Sequence, residues 1–333
     1  MGVLDLSIEQ IKKIPLLLGE TDVLKAIQTM PGVKAGNEGT AGFYVRGGGA
    51  DQNLILLDDA TVYNAAHLFG FVSVFNADAI QNISLIKGGF PARYGERLSS
   101  VLDITMKEGD MHKTKLTGSI GLVASRATLE GPILKEKSSY ILSFRRTYID
   151  AFLTPIYKLQ ESSSGNKIIP SYYFGDLNAK INYKPNYRHH LFASVYWGKD
   201  KLNIQNSKKD LFIDKQENAG LEWKNLTSTL RWNYIISPKL FLNTILNYSQ
   251  YNLLNQSDFS EYSSNITQHS NSFYASSVRD IGYKTDLQYI PNPNHNIRFG
   301  FRFINHLFHP GIYTYNNTYS DDATSAVSFQ KKQ

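Results

Sequence analysis

Polar and apolar residues alternate strictly through most of the chain after residue 110. Between residues 173 and 184, Leu177, Ile181 and Tyr183 fall on one face, whereas Asp176 and Lys180 fall on the other. A two-residue period places successive side chains on opposite faces of a β-strand. The pattern predicts about eight strands, each with one apolar and one polar face. They cover 115–129, 138–147, 173–184, 188–198, 221–236, 239–250, 280–290 and 296–306.

Connections between these strands alternate in length. Short turns that contain Pro or Asn occupy 184–188, 237–238 and 291–295, and long polar segments occupy 148–172, 199–220 and 251–279. Short turns at one end and long loops at the other are typical of an outer-membrane barrel. A soluble β-sandwich produces the same alternation with its apolar face inward, so periodicity leaves both architectures open.

Residues before 110 carry a different pattern of short, mixed segments. A helix is predicted at 22–29, because Thr21 or Asp22 can cap its start and Pro31 with Gly32 stops it. Strand-like runs follow at 43–46, 54–57, 83–87 and 101–106, separated by turns rich in Gly, Asn or Asp. The sequence therefore predicts a small mixed α/β domain in residues 1–110 and a β domain in residues 111–333.

Composition excludes several classes of protein. Lys and Arg number 35 against 29 Asp and Glu, and a formal net charge of +6 without a basic patch argues against nucleic acid as a partner. The chain has no Cys, which excludes a disulfide framework, a Cys-ligated metal and a thiol nucleophile. The first residues lack the features of a secretory signal peptide, and the apolar segment 62–77 is too short and too polar for a spanning helix. Passage through a membrane would therefore use strands.

Residues with catalytic or ligand-binding chemistry form no recognised constellation. Three glycines, Gly47–Gly49, follow a predicted strand, but no Gly-Lys-Ser/Thr sequence comes after them, so a flexible turn is favoured over a phosphate-binding loop. Asp58 and Asp59 are adjacent in a strand-like run, so they should point to opposite faces and not act as a catalytic pair. The histidines lack metal-ligand spacing. We predict no catalytic residue, no metal site and no cofactor, and the chain is not expected to be an enzyme.

The first domain resembles the plug domain of TonB-dependent outer-membrane receptors. The likeness is strongest to Bacteroidota-type members, in which the HLFGF segment at 67–71 is typical. The opening strands at 117–132 and 140–148 are similar too. The plug segments that carry the resemblance, in family order, are DVLKAIQTMPGV at 22–33, YVRG at 44–47, ILLDDA at 55–60, NADAI at 76–80, ISLIKG at 83–88 and RYGERLSSVLDI at 93–104.

The resemblance implies a membrane β-barrel with an N-terminal mixed α/β plug domain. Residues 1–110 would be the plug, with a helix, a small mixed sheet and apical loops, and 111–333 the N-terminal portion of the transmembrane barrel. The family barrel has about 22 strands, of which about eight are expected here. Because a barrel of that size would need roughly 600 residues, we expect the chain to be a piece of a longer protein.

The resemblance also implies site residues. The plug apices correspond to the loops 34–40, 48–53 and 61–67, and for their residues the alternative is an ordinary solvated loop. Arg46 in YVRG would be a plug–barrel contact, the alternative being an ordinary surface ion pair. The family usually has Asp-Gly where this chain has Asp58 and Asp59, so a looser turn is expected there. The predicted substrate-binding residues are Asn37, Glu38, Asp51, Gln52, Tyr63, Asn64 and His67.

The function implied is a receptor in the cell outer membrane that takes up a scarce solute by energised plug movement. The solute would be a siderophore, another metal chelate, an oligosaccharide or a peptide. The expected partners are a TonB-type energy-transducing protein in the periplasm, the small solute, outer-membrane lipid and a surface lipoprotein, with no nucleic acid. Two alternatives stay open: a signalling receptor on the same scaffold and a soluble β-rich binding module.

Overall fold

The computed structural model describes residues 2–11, 21–36, 42–67, 70–159, 166–209, 213–263, 266–321 and 324–332. Two sheets dominate it, one of five strands near the N-terminus and one of ten strands in the remainder. We refer to the described residues between 2 and 110 as the N-terminal unit and to the ten-stranded sheet as the wall. In the part of the chain described here, no helix combines the length and apolarity needed to cross a membrane.

The five-stranded sheet contains the core of the N-terminal unit. Its strand order is β1-β8-β9-β4-β5, with β4 parallel to β9 and the other pairs antiparallel. Its core side chains come from strands and helices alike, and Leu85, Leu102 and Ile27 are fully buried. The strands are β1 (Gly2–Ser7), β4 (Asn53–Leu57), β5 (Ala60–Thr61), β8 (Ile80–Lys87) and β9 (Ser100–Met106).

Short elements complete the N-terminal unit. The predicted helix is present as α2 (Val23–Gln28), with Asp22 at its N-cap accepting a hydrogen bond of 2.9 Å from the Lys25 backbone N–H. The chain reverses after it at Gly32, whose φ of 75° suits glycine. The other elements are α1 (Ile8–Ile11), β2 (Val33–Ala35) paired with β3 (Phe43–Val45), a 3₁₀ turn (Ala50–Gln52), and β6 (Ala66–His67) paired with β7 (Val72–Ser73).

The turn between β4 and β5 is tight, so the expectation that Asp59 would loosen it is wrong. Asp58 and Asp59 both adopt the left-handed conformation, with φ of 48° and 69°. A two-residue hairpin turn needs this geometry, and Asp tolerates it better than most residues. Met106 donates its backbone N–H to the Asp58 carboxylate at 3.1 Å, which ties the turn to β9.

The wall is an antiparallel meander in which each strand pairs with the next along the chain. It has ten strands where about eight were expected. The predicted strand at 115–129 is divided by a turn at 121–123, and a further strand is added at 324–332. The strands are β10 (Lys115–Ile120), β11 (Ala124–Leu134), β12 (Ser138–Thr147), β13 (Asn166–Asn186), β14 (His189–Lys209), β15 (Ile213–Ser237), β16 (Leu240–Ser263), β17 (Ile266–Asn292), β18 (His295–Asp321) and β19 (Thr324–Lys332).

The prediction of long loops at 199–220 and 251–279 is wrong, because the described residues of both segments belong to strands. Asn206 on β14 still pairs with Glu217 on β15, and Asp258 on β16 pairs with Asn271 on β17. The Ser, Asn and Thr residues of these two segments were interpreted as loop residues. They also suit a β-hairpin whose two faces are both in contact with water. Segment 148–172 instead contains the helix α3 (Ile149–Leu159) and the start of β13.

The two faces of the wall are inverted relative to a soluble sheet. Its buried face, against the N-terminal unit, is polar: Ser143, Asp176 and Asn182 are completely buried. Its exposed face is apolar, and Leu230 and Phe301 are 57% and 60% exposed. A β-sandwich would bury the apolar face, whereas an outer-membrane barrel turns it outward to lipid. The predicted fold class is confirmed.

Candidate functional site

The N-terminal unit meets the wall along a polar seam. We use the word seam for the hydrogen bonds and ion pairs that join residues 58–96 to the inner faces of β11–β18. The wall side chains that take part in the seam all point toward the N-terminal unit, because alternate residues of a strand share one face. Three clusters of contacts make up most of the seam, and each has a different charge pattern.

The first cluster surrounds His67 at the end of β6. Its Nε2 lies 2.7 Å from Asp176 Oδ1 on β13, and its Nδ1 lies 2.5 Å from Asp200 Oδ2 on β14. The imidazole also stacks on Phe174, with ring centroids 4.2 Å apart. His67 is 1% exposed. The ring therefore bridges two neighbouring strands of the wall through both nitrogens.

Other groups complete the charge balance around His67. Arg145 on β12 pairs with Asp176 at 2.6 Å and donates a hydrogen bond of 2.8 Å to the Ser73 backbone carbonyl of β7. Burial opposes protonation of His67, but Asp176 and Asp200 outweigh it and raise the pKa of His67 to about 9. At neutral pH the cluster thus contains two cations and two carboxylates.

The second cluster is centred on the Asp58–Asp59 turn. Asp58 pairs with Lys180 on β13 at 3.0 Å, and Lys180 also donates to the Met106 carbonyl at 3.0 Å. Asp59 points the other way and pairs with Arg231 on β15 and with Lys284 on β17, the latter at 3.2 Å. Burial works against the charged form of Asp59, yet the two cations lower its pKa below the usual value. The adjacent carboxylates diverge, as the sequence indicated, and each is neutralised separately.

The third cluster uses the chain between β5 and β6. Tyr63 donates its hydroxyl to Asp280 on β17 at 2.5 Å, and the backbone carbonyl of Asn64 accepts a bond of 2.7 Å from Asn225 on β15. Asp280 also contacts His306 on β18 at 2.8 Å. Burial and the neighbouring Asp280 carboxylate raise the pKa of Tyr63 well above its usual value.

Further contacts continue the seam on both sides of these clusters. Asn76 donates to the Ser143 hydroxyl at 2.8 Å, and Asp78 pairs with Arg126 at 2.9 Å. Glu96 pairs with Arg302 at 2.8 Å. Near Glu96 a cavity of about 1000 Å³ opens between residues 91–96 and the wall. Its lining includes the cationic side chains Arg93, Lys284, Arg298 and Arg302.

Three of the predicted substrate-binding residues lie in the seam. Tyr63, Asn64 and His67 contact the wall, and with 1% exposure His67 offers no surface to a solute in this arrangement. Asp51 is exposed, and the Gln52 side chain accepts a bond of 3.2 Å from the Gly49 backbone, both at the start of β4. Asn37 and Glu38 lie outside the described residues. Solute contact at these seven positions stays a prediction.

Arg46, the predicted plug–barrel contact, lies elsewhere. It is exposed, adopts a φ of 50°, and its guanidinium lies beside Gly2 and Gly88 of its own unit. The wall contacts described above come from other residues of the N-terminal unit, among them Asp59, Tyr63 and His67. Its role as an anchor stays a prediction.

Sequence reasoning missed the wall side of the seam. Asp176, Lys180 and Lys284 lie on the polar face of predicted strands, and the sequence analysis assigned them no role. Arg145 lies in the predicted strand 138–147, and Asp200 lies in the segment 199–220 that was predicted to be a loop. Isolated charges recurring on one face of several neighbouring strands were the available signal. In the described ranges, no group of three or more His, Asp and Glu residues is arranged to hold a metal ion.

Residues 6–100 match the family model of the TonB-dependent receptor plug domain. No curated protein matches the chain. Among solved structures, it is similar to a mutant of the ferric enterobactin receptor of Pseudomonas aeruginosa, with 15% identity and a TM-score of 0.45 over 99% of this chain and 61% of that one. The siderophore receptor PirA of Acinetobacter baumannii shows 12% identity and a TM-score of 0.44 over 99% and 75%. The ferric yersiniabactin uptake receptor of Yersinia pestis shows 11% and 0.46 over 100% and 60%.

The chain thus spans 61% of the length of the first of these structures. The finer likeness to Bacteroidota-type members stays a prediction.

Proposed function

We propose that this chain, whose residues 6–100 are a TonB-dependent receptor plug domain, forms part of an outer-membrane receptor that imports a scarce solute by energised movement of the plug. The observation that carries the proposal is the seam: a folded plug is held by buried ion pairs against the polar face of a sheet whose other face is apolar. Members of this receptor family are outer-membrane proteins, and the inverted wall suits that position.

A polar seam suits a plug that has to move. Removing two charges from water costs nearly as much as their attraction returns, so a buried ion pair contributes little net free energy. Its geometry is nevertheless demanding, because an unpaired partner left behind is costly. The seam therefore fixes where the plug sits while opposing its displacement far less than an apolar interface of equal area would. Water entering the seam can solvate His67, Asp59 and their partners as the plug leaves.

The energy source has to be mechanical. The outer membrane has no nucleotide supply, so we propose that a TonB-type protein in the periplasm supplies the work. The solute would be a siderophore, another metal chelate, an oligosaccharide or a peptide. Ser, Asn and Tyr side chains along the long hairpins of β14–β17 suit hydrogen bonding and stacking to any of these.

The test locks the plug with introduced Cys pairs, since these 333 residues contain no Cys and any Cys in the rest of the receptor is replaced by Ser. Asn76→Cys with Ser143→Cys joins plug to wall at a contact of 2.8 Å. The matched control is Thr128→Cys with Ser143→Cys, which joins two paired wall strands whose hydroxyls lie 2.7 Å apart. The complete receptor is expressed in a deletion strain of its source cell, and a short bifunctional thiol reagent with a cleavable disulfide closes each pair.

Uptake of three radiolabelled probes is measured one at a time: an iron(III) chelate, an oligosaccharide and an oligopeptide. We expect one probe to accumulate only with the gene and with the proton gradient intact. The plug–wall lock should abolish that uptake until the reagent is cleaved, and the wall–wall control should leave it unchanged. Uptake that persists through the plug–wall lock would contradict energised plug movement. No gene-dependent accumulation of any probe would contradict the transport proposal itself.

A further inference from the structure

The helix α3 lies on the outward side of the wall. Arg146 on β12 belongs to the same face as the exposed Phe144, and it pairs with Asp150 of the helix at 3.2 Å. The Arg146 guanidinium also lies over the ring of Tyr173 on β13, 5.2 Å from its centroid. Tyr173 shares the outward face of β13 with Leu177 and Ile181. The helix therefore packs against the apolar face of the wall and not over the lumen.

The contact surface of α3 is its polar side. Asp150 faces Arg146, and the Thr154 hydroxyl is buried although its residue is only partly covered. Lys167, an outward residue of β13, donates to the carbonyl of Lys158 at the end of the helix. An amphipathic helix in a soluble protein usually does the opposite and buries its apolar side.

The apolar side of α3 is turned away from the protein. Phe152 is 63% exposed, Ile156 60% and Leu159 83%, and Leu153 is exposed too. With about 100° between successive residues, these four side chains fall within an arc of about 120°. Tyr148 lies edge-on against Phe152, with ring centroids 5.6 Å apart, and all four side chains of the arc nevertheless stay exposed.

The height of α3 on the wall corresponds to a membrane surface. Tyr173 lies 13 positions from the turn at Asn186, which is about 32 Å at roughly 2.5 Å of height per residue of a tilted strand. The apolar band of an outer-membrane barrel is about 25 Å tall, with aromatic girdles at its edges. Tyr173 and α3 therefore lie at the outer edge of this band.

We propose that α3 is an interfacial membrane helix of the outer leaflet. Phe152, Leu153, Ile156 and Leu159 insert among the acyl chains next to the wall, and Lys158 lies at the level of the anionic headgroups. The inference rests on the proposed outer-membrane position of the wall. The occupant is lipid because the exposed apolar arc is continuous with the lipid-facing surface of β12 and β13.

Single Cys variants of the complete receptor, labelled with an environment-sensitive fluorophore, test this proposal. Phe152→Cys and Ile156→Cys report on the apolar arc. Ala151→Cys is the matched control, because it is exposed on the opposite side of the same helix. Leu230→Cys on the outward face of β15 is the reference for the wall. Each variant is reconstituted in phosphatidylglycerol-containing vesicles with a phospholipid spin-labelled near its headgroup.

We expect blue-shifted emission and several-fold stronger quenching at positions 152 and 156 than at 151. The inference would be overturned if quenching at 152 and 156 is no greater than at 151 while the label at 230 reports an apolar environment. That result would leave the proposed outer-membrane location of the wall unchallenged. A label at position 230 that reports an aqueous environment would instead overturn the proposed outer-membrane location of the wall. Accessibility of the labels at 152 and 156 to a water-soluble quencher is also compared between intact cells and vesicles. Labels that are shielded in cells but accessible in vesicles would show that a protein partner covers the helix, and this result would also overturn the inference.

Discussion

His67 is the side chain whose loss should most weaken the seating of the plug. Replacing it with Ala removes one of the two cations of this buried cluster and takes an ion-pair partner from both Asp176 and Asp200, while Arg145 stays paired with Asp176. Removing one partner of a buried ion pair costs about 3–5 kcal/mol. A pKa raised from 6.5 to about 9 corresponds to about 3 kcal/mol of the same interaction. We therefore expect the plug of the His67→Ala variant to be about 3 kcal/mol less stable at neutral pH.

Trp223 provides the assay, because it is 5% exposed on the inner face of β15 and pairs with Asp200 across the sheet. Trp197 and Trp232, the other tryptophans of these 333 residues, are replaced with Phe together with any tryptophan in the rest of the receptor, so that Trp223 is the reporter. Its emission is followed through a urea titration of the receptor in detergent. We expect a lower urea midpoint for His67→Ala and an intermediate one for His67→Gln, which keeps a hydrogen-bond donor without the charge.

The pH dependence gives an independent check. Because the folded-state pKa of His67 is above its unfolded value, its contribution is complete below about pH 6.5, declines between pH 6.5 and 9, and is lost above about pH 9. The difference between wild type and His67→Ala should therefore shrink as the pH rises through this window. A difference that is absent at pH 6, or that stays constant up to pH 10, would refute the reasoning.

Three further predictions concern the turn, the third cluster and the lipid face. Asp59→Asn removes one of the two carboxylates that pair with Lys284, which keeps Asp286 at 3.5 Å. Since these groups are partly accessible to water, a loss of about 1–2 kcal/mol is expected in the same urea titration. Tyr63→Phe removes one partly buried hydrogen bond and should cost about 1–2 kcal/mol. An unchanged urea midpoint would mean that this bond does not hold the plug. Phe301→Arg puts a charge on the apolar face and should lower the free energy of unfolding in a bilayer, measured by refolding into lipid vesicles, by about 2–4 kcal/mol. Arg302→Lys on the opposite face should be nearly neutral in the same measurement.

The fold could be predicted from the sequence wherever a local pattern carries it. A two-residue period marks β13 and β18, and Asp22 with Gly32 marks the limits of α2. The position of His67 in the seam could not be predicted, because its partner Asp176 is 109 positions away and nothing local in either segment shows the pairing. The lengths of the strands could not be predicted for a related reason. Residues such as Asn206 and Asn271 favour turns locally, and only pairing with a neighbouring strand makes them extended.

Under the proposed function, the long hairpins of the wall affect how a solute reaches the plug. Strands β17 and β18 each have 27 residues, or about 65 Å of height at roughly 2.5 Å per residue, whereas about 10 residues suffice to cross the bilayer. The paired, polar ends of these strands therefore rise about 40 Å above the lipid surface. A molecule that diffuses along the inner face of these hairpins meets their polar side chains before it meets the plug, so weak contacts with the hairpins precede any tight binding.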